Sequence, residues 1–399
     1  MKQKIGQAIE QKVAAPIKRT EAQWREHWEK TWQQRVESHF DKFSDKLSEK
    51  LPKASIPKSK LVDKVKIGSD KGMSILNGLI GDYLADRQLS IAVQMAFYHH
   101  HQPLELNTQS LKQTLNDAHG KGISNKLCIM VHGLGCTERV WGMKFDSEQT
   151  YGSLLADDLG YTPLYVRYNT GLHISHNGQM LAELMAQLIE NYPVEVEEVI
   201  FITHSMGGLV TRSACYYGSC NSGSYNEGRE LQHDWTKKVR QLYFLGSPHL
   251  GADLEKFGSV VAKALKTSPM PYTQFLGELF DKRSAGIKDL RFGYVRDEDW
   301  QGQEHEPVLV NNKQTVPLLD GADHFVITGT VHKDSEHILS QFFGDALVRK
   351  YSATGQSDNQ KHHLPFLPEN QAEFTQLMHV RLAQSRRVYQ QILQWVSDG

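Results

Sequence analysis

With 39% hydrophobic and 23% charged residues over 399 positions, the chain can build a large buried core and is not a wholly disordered polymer. A formal net charge of −1 gives no overall attraction for nucleic acid. No uninterrupted apolar run approaches the roughly eighteen residues that a membrane-spanning helix needs.

Charge is unevenly distributed, with 16 Lys and Arg against 9 Asp and Glu in residues 1–66. Met1-Lys2-Gln3-Lys4 is basic, but no apolar stretch follows of the kind a secretory signal requires, so a cytoplasmic location is expected. The cysteines Cys128, Cys136, Cys215 and Cys220 have no zinc-site spacing and form no framework that forces a disulfide.

Residues 1–66 are predicted to be an amphipathic helical extension. Trp24, Trp28, Trp32, Val36, Phe40 and Phe43 recur at spacings of three and four, which places them on one helix face. Pro52 and Pro57 then break the pattern into a linker. The apolar stripe is expected to dock on the rest of the chain or to pair two copies. Trp beside Lys also suits a lipid surface, against which the interspersed Glu and Asp weigh. Residues 67–122 are predicted to be a helical segment packed on the core that follows, with 73–84 and 91–97 apolar on one side. His99-His100-His101 cannot all face one metal on a helix and is expected to be a loop. No metal or cofactor is expected.

Residues 126–131 are predicted to form a strand, followed by the tight turn His132-Gly133-Leu134-Gly135. The apolar run Val199-Ile200-Phe201-Ile202 predicts a buried strand, and residues from Gly208 onward predict a helix. Between them lies Thr203-His204-Ser205-Met206-Gly207. A sharp strand-to-helix turn of this kind lifts the central serine above the sheet, where a base can reach its hydroxyl. Small residues are wanted on either side because two backbones pass close together. Thr203 is β-branched and is expected to crowd the turn. Met206 would offer its backbone N–H at a helix N-terminus, where unpaired donors favour a developing negative charge.

Beyond Gly251, residues 260–265 and 275–280 predict two short helices joined by Ser268-Pro269-Met270-Pro271. Asp297, Glu298, Asp299, Glu304 and Glu306 match no calcium loop and are expected to be a solvated acidic loop. A strand is predicted at 323–330, with Asp320, Asp323, Asp334 and Asp345 around or after it. His379 precedes a final helix whose Val388, Ile392, Trp395 and Val396 have helical spacing. His362 and His363 compete with it but lie in a polar stretch.

Five segments together resemble the α/β-hydrolase lipases and esterases, especially bacterial lipases with a His-Gly-Leu oxyanion loop and the branch similar to inositol deacylases. They are Val131-His132-Gly133-Leu134-Gly135, Tyr165-Val166-Arg167-Tyr168-Asn169-Thr170-Gly171, Thr203 to Arg212, Leu245-Gly246-Ser247-Pro248-His249-Leu250-Gly251-Ala252, and Gly344-Asp345-Ala346-Leu347-Val348. The resemblance implies a catalytic domain over residues 123–399, with a mostly parallel sheet flanked by helices and a cap over about 252–300. It implies Ser205 as nucleophile, His379 as base and Asp345 as acid, with Asp334, Asp323 and Asp320 as alternatives to Asp345. The N–H groups of Leu134 and Met206 would form the oxyanion hole, and His132, Gly133, His204 and Gly207 would support it. The expected reaction is hydrolysis of a lipid or small-molecule carboxylic ester through an acyl-enzyme. A thioesterase, acyltransferase or amidase with the same triad, or a silent scaffold that binds a lipid or partner, are the other readings. Whether the chain is a homo-oligomer stays open.

Overall fold

Parallel strands with apolar residues at successive positions need cover on both faces, and the chain supplies it by alternating strands with helices. The computed structural model describes residues 93–116, 123–143, 146, 148–219, 235–252, 284–301, 313–330, 350–357, 362–377 and 379–398. The chain divides into two units, Met1–Ile67 and Gly68–Gly399, and every described residue falls in the second. The predicted N-terminal extension and the two predicted cap helices therefore lie outside the described residues.

In chain order the described elements are β1 (Ala96–His99), β2 (Gln102–Pro103), α1 (Thr108–Asn116), β3 (Lys126–Val131), α2 (Tyr151–Leu159), β4 (Thr162–Arg167), α3 (Ile174–Asn191) and β5 (Glu198–His204). They continue with α4 (Met206–Ser219), β6 (Val239–Leu245), α5 (Ala285–Phe292), β7 (Asp323–Thr330), α6 (Lys350–Ala353), β8 (Gln371–Thr375) and α7 (Arg386–Asp398). The strands form one sheet in the order β2-β1-β4-β3-β5-β6-β7-β8. From β4 to β8 the neighbours are parallel, while β1 runs antiparallel to both β2 and β4. This is the α/β-hydrolase architecture expected from the sequence.

The two-residue period of the strands sorts the core into two layers. Leu127, Ile129, Val131, Val199 and Phe201 pack with Leu181 and Met185 of α3 and with Leu209 and Val210 of α4. Cys128, Met130, Ile200 and Ile202 face the other side, against Tyr151 and Leu155 of α2 and Val388 and Ile392 of α7. The final helix thus buries the face that its spacing predicted.

The structure departs from the sequence expectation at two places. The predicted helical segment 67–122 gives way at Ala96–His99 to a strand with alternating burial, in which Phe97 and His99 point inward. Its backbone pairs with β4, Phe97 opposite Val166, so the edge of the sheet captures what a helix would have left outside. The acidic loop is not solvated at its two aspartates. Asp299 is fully buried and accepts the N–H groups of Val295, Arg296 and Gln314, while buried Asp297 accepts from Gln179. Carboxylates that satisfy otherwise unpaired backbone donors are the sort that can be buried.

Candidate functional site

The sheet order reverses between β3 and β5. After β3 the chain moves to β4 on one side, and after β5 it continues through β6 to β8 on the other. Loops leaving the carboxyl ends of two such strands diverge and leave a crevice where ligands bind in open α/β sheets. Val131 pairs with Thr203, so His132-Gly133 and His204-Ser205 emerge side by side into that crevice.

Ser205 lies there with φ 55°, a left-handed conformation that costs a non-glycine residue about 1 kcal/mol. Neighbours hold it. Its N–H donates to the Leu245 carbonyl at 2.9 Å, and its own carbonyl accepts the Gly208 N–H at 3.1 Å. The residue remains partly exposed beside buried His204 and Met206. The turn demands a glycine at 207, where a Cβ would lie 2.5 Å from the His132 carbonyl oxygen and closer still to that of Val131. It makes no such demand at 203. Thr203 does not crowd the turn: its side chain reaches across to β6, and its hydroxyl donates to the Tyr243 carbonyl at 2.9 Å.

The loop after β3 approaches the serine closely. A Cβ on Gly133 would stand 2.9 Å from the Ser205 Cβ. His132 is fully buried, stacked on Tyr168 at 4.5 Å, with its Nδ1 2.9 Å from the Gly133 carbonyl. Burial holds its pKa down to about 4, so it is a neutral donor. Among the described residues, the N–H groups of Leu134 and Met206 donate to no backbone carbonyl in the turn and loop hydrogen bonds around the site.

His379 reaches the same end of the sheet from the segment before α7. Gly246, with φ +61°, makes room for it: a Cβ there would be 2.8 Å from the His379 Nδ1 and Cε1. His204 faces it at a ring distance of 4.8 Å and donates from Nε2 to the His379 carbonyl at 3.1 Å. His379 is buried, and that burial, with His204 nearby, pushes its pKa down to about 3. Among the described residues no hydrogen bond joins His379 to Ser205 or to a carboxylate.

Asp345 and Asp334 lie outside the described residues. Asp323 begins β7, opposite Gln241 near the start of β6, and Asp320 precedes it. Both therefore sit at the amino end of the parallel strands, away from Ser205, which leaves the carboxyl end of one. His249 lies on the loop after β6. It is fully buried, packed against Phe244 and Phe366, and burial holds its pKa well below the ordinary value.

Residues that the sequence reading did not single out complete the site. Gly246 seats the His379 ring, and its signal was the glycine immediately after a buried strand. Tyr168 and Thr170 grip the two ends of the His132–Gly135 turn, through the His132 carbonyl and the Gly135 N–H. They lay inside a segment that carried the family resemblance, yet nothing in it distinguished a brace from any other buried residue.

Residues 123–273 match the family model described as "Putative serine esterase (DUF676)". The chain is also similar to three solved structures. For the mature lipase BlEst2 of Bacillus licheniformis the identity is 16%, covering 68% of this chain and 91% of that one, with a TM-score of 0.41. For lipase 1 of Pelosinus fermentans the identity is 13%, the coverage 69% and 100%, and the TM-score 0.43. For the Pyrococcus furiosus esterase Pf2001 the identity is 14%, the coverage 69% and 82%, and the TM-score 0.39. No curated protein matches the chain.

Proposed function

With a serine-esterase family match over residues 123–273, we propose that this α/β-hydrolase cleaves carboxylic esters through an acyl-enzyme on Ser205. The observation that carries the reading is the strained serine at the β3–β5 crevice, pressed by a glycine loop and lying at the end of the sheet that also receives a buried histidine. Strain of this kind persists where surrounding structure over-determines it, and it clusters at reactive groups.

In this mechanism the Ser205 Oγ attacks the ester carbonyl carbon while His379 takes the hydroxyl proton. The N–H groups of Leu134 and Met206 receive the negative oxygen of the tetrahedral intermediate. Collapse expels the alcohol, to which His379 returns the proton. Water, deprotonated by the same histidine, then attacks the acyl-enzyme and releases the carboxylic acid. An imidazole whose pKa is about 3 is too weak a base for this work. The reading therefore needs a carboxylate at the second ring nitrogen, which would raise that pKa, and Asp345 is assigned to it.

The test is hydrolysis of p-nitrophenyl esters from acetyl to palmitoyl by the wild type and by Ser205→Ala, with fluorophosphonate labelling alongside. Turnover and labelling that both vanish in the variant are expected, and the chain-length optimum sizes the acyl site. A folded wild type that neither turns over nor labels refutes the proposal. Asp345→Asn should lower kcat by about a thousandfold or more, and Asp334→Asn should not.

A further inference from the structure

We propose that Thr170 is a positioning residue that fixes the oxyanion loop, an inference that rests on the ester-hydrolase reading above and deepens it. The donor assigned to the oxyanion is the Leu134 N–H, so what matters is how the two peptide planes on either side of Leu134 are held. A trans peptide points its N–H opposite to its own C=O. The Gly133 carbonyl accepts from Cys136 N–H at 3.2 Å and from His132 Nδ1 at 2.9 Å, which sets the plane that carries the Leu134 N–H. The next plane carries the Gly135 N–H, and that group donates to the Thr170 hydroxyl at 3.1 Å. Gly135 has φ +66°, a glycine conformation with little intrinsic resistance to reorientation, so the bond to Thr170 supplies a constraint that the backbone lacks.

Thr170 is itself held firmly. It is 1% exposed. The Asn169 side chain accepts the Gly171 N–H at 3.0 Å, and the Asn169 carbonyl accepts from the Asn177 side chain at 3.0 Å. On the other flank the Gly171 carbonyl accepts the Gly286 N–H at 3.0 Å, and Gly286 at the start of α5 has no Cβ where the Thr170 carbonyl lies. Two residues earlier, Tyr168 donates from its hydroxyl to the His132 carbonyl at 2.8 Å. The segment after β4 thus grips both ends of the His132–Gly135 turn, and Leu134 lies between the grips.

The experiment compares Thr170→Val, which keeps the shape and loses the hydroxyl, with Thr170→Ser, which keeps the hydroxyl. Each is measured for kcat and KM on p-nitrophenyl butyrate and for inhibition by an aliphatic trifluoromethyl ketone, whose serine adduct places a negative oxygen in the hole. Thr170→Val should lose about tenfold or more in kcat with KM held within about twofold, and ketone affinity should fall by a similar factor. Thr170→Ser should recover most of both. Exchange of the Gly135 amide hydrogen, followed by NMR, should accelerate in Thr170→Val and not in Thr170→Ser. If Thr170→Val does not fold, Thr170→Ala takes its place.

Wild-type kcat and ketone affinity in Thr170→Val would overturn the proposal. So would a serine variant as impaired as the valine one, or a lowered melting temperature with no change in kcat, since both describe a packing role alone. A wild type inert to every ester and to fluorophosphonate is a different failure: it removes the ester-hydrolase reading first, and this inference with it.

Discussion

Gly207 and Thr203 stand two residues to either side of Ser205 and meet opposite demands. At 207 the helix backbone presses on the carbonyls of Val131 and His132, and there is no room for a methyl group. Gly207→Ala should therefore destabilise the fold by about 2–3 kcal/mol or more, measured by urea unfolding. At 203 the side chain fits, buried and bonded to the Tyr243 carbonyl. Thr203→Gly should cost about 1–2 kcal/mol, from the lost hydrogen bond and the added freedom of the unfolded chain. A Thr203→Gly variant more stable than the wild type would restore the view that threonine crowds this turn.

At the scale of elements, α2 secures the histidine segment from across the molecule. The Tyr151 hydroxyl donates to the Leu382 carbonyl at 2.7 Å and accepts the Ser385 N–H at 2.8 Å, just behind His379. Tyr151→Phe would strand buried backbone groups. It should cost about 1–3 kcal/mol and, on the proposed mechanism, lower kcat by more than it changes KM, because His379 loses its backing. Equal kcat in a measurably destabilised Tyr151→Phe would separate the helix from the site. The same helix carries its own start signal. Thr150 accepts the Ser153 N–H at 3.0 Å and the Ser153 hydroxyl accepts the Thr150 N–H at 2.8 Å, a reciprocal cap. Thr150→Ala should remove about 1 kcal/mol of stability.

Across the whole molecule, buried imidazoles make the fold sensitive to acid. Burial holds His132, His204 and His324 down to about 4, from an ordinary value of 6.5. Above pH 6.5 these rings are neutral folded and unfolded, so stability is fully present. As pH falls below 6.5 the unfolded chain binds protons that the folded chain refuses, and stability drops until the folded values are reached near pH 4. Each such ring contributes a slope of about 1.4 kcal/mol per pH unit in that window. Urea unfolding at pH 7, 6 and 5 should give steeply declining stability. A flat profile over that range would mean that these rings are solvated or paired with carboxylates.

Much of this protein was legible in its sequence because the relevant forces are local. Consecutive apolar residues in 126–131 and 199–202 required strands buried on both faces, and the spacing of Val388 and Ile392 required a helix packed on one. The turn at 203–207 and the glycines after β3 announced a close approach before any neighbour was known. What the chain order could not supply was contact between distant segments. The strand at Ala96–His99 exists because β4, distant along the chain, offers it backbone groups to pair with, which no local periodicity encodes. The burial of Asp297 and Asp299 depends on backbone donors and a glutamine that only the fold delivers. Ester chemistry was suggested by residue types in sequence. Which glycine seats the His379 ring, and which residues grip the two ends of the His132–Gly135 turn, were decided by proximity in three dimensions, where hydrogen-bond reach of about 3 Å outweighs any separation along the chain.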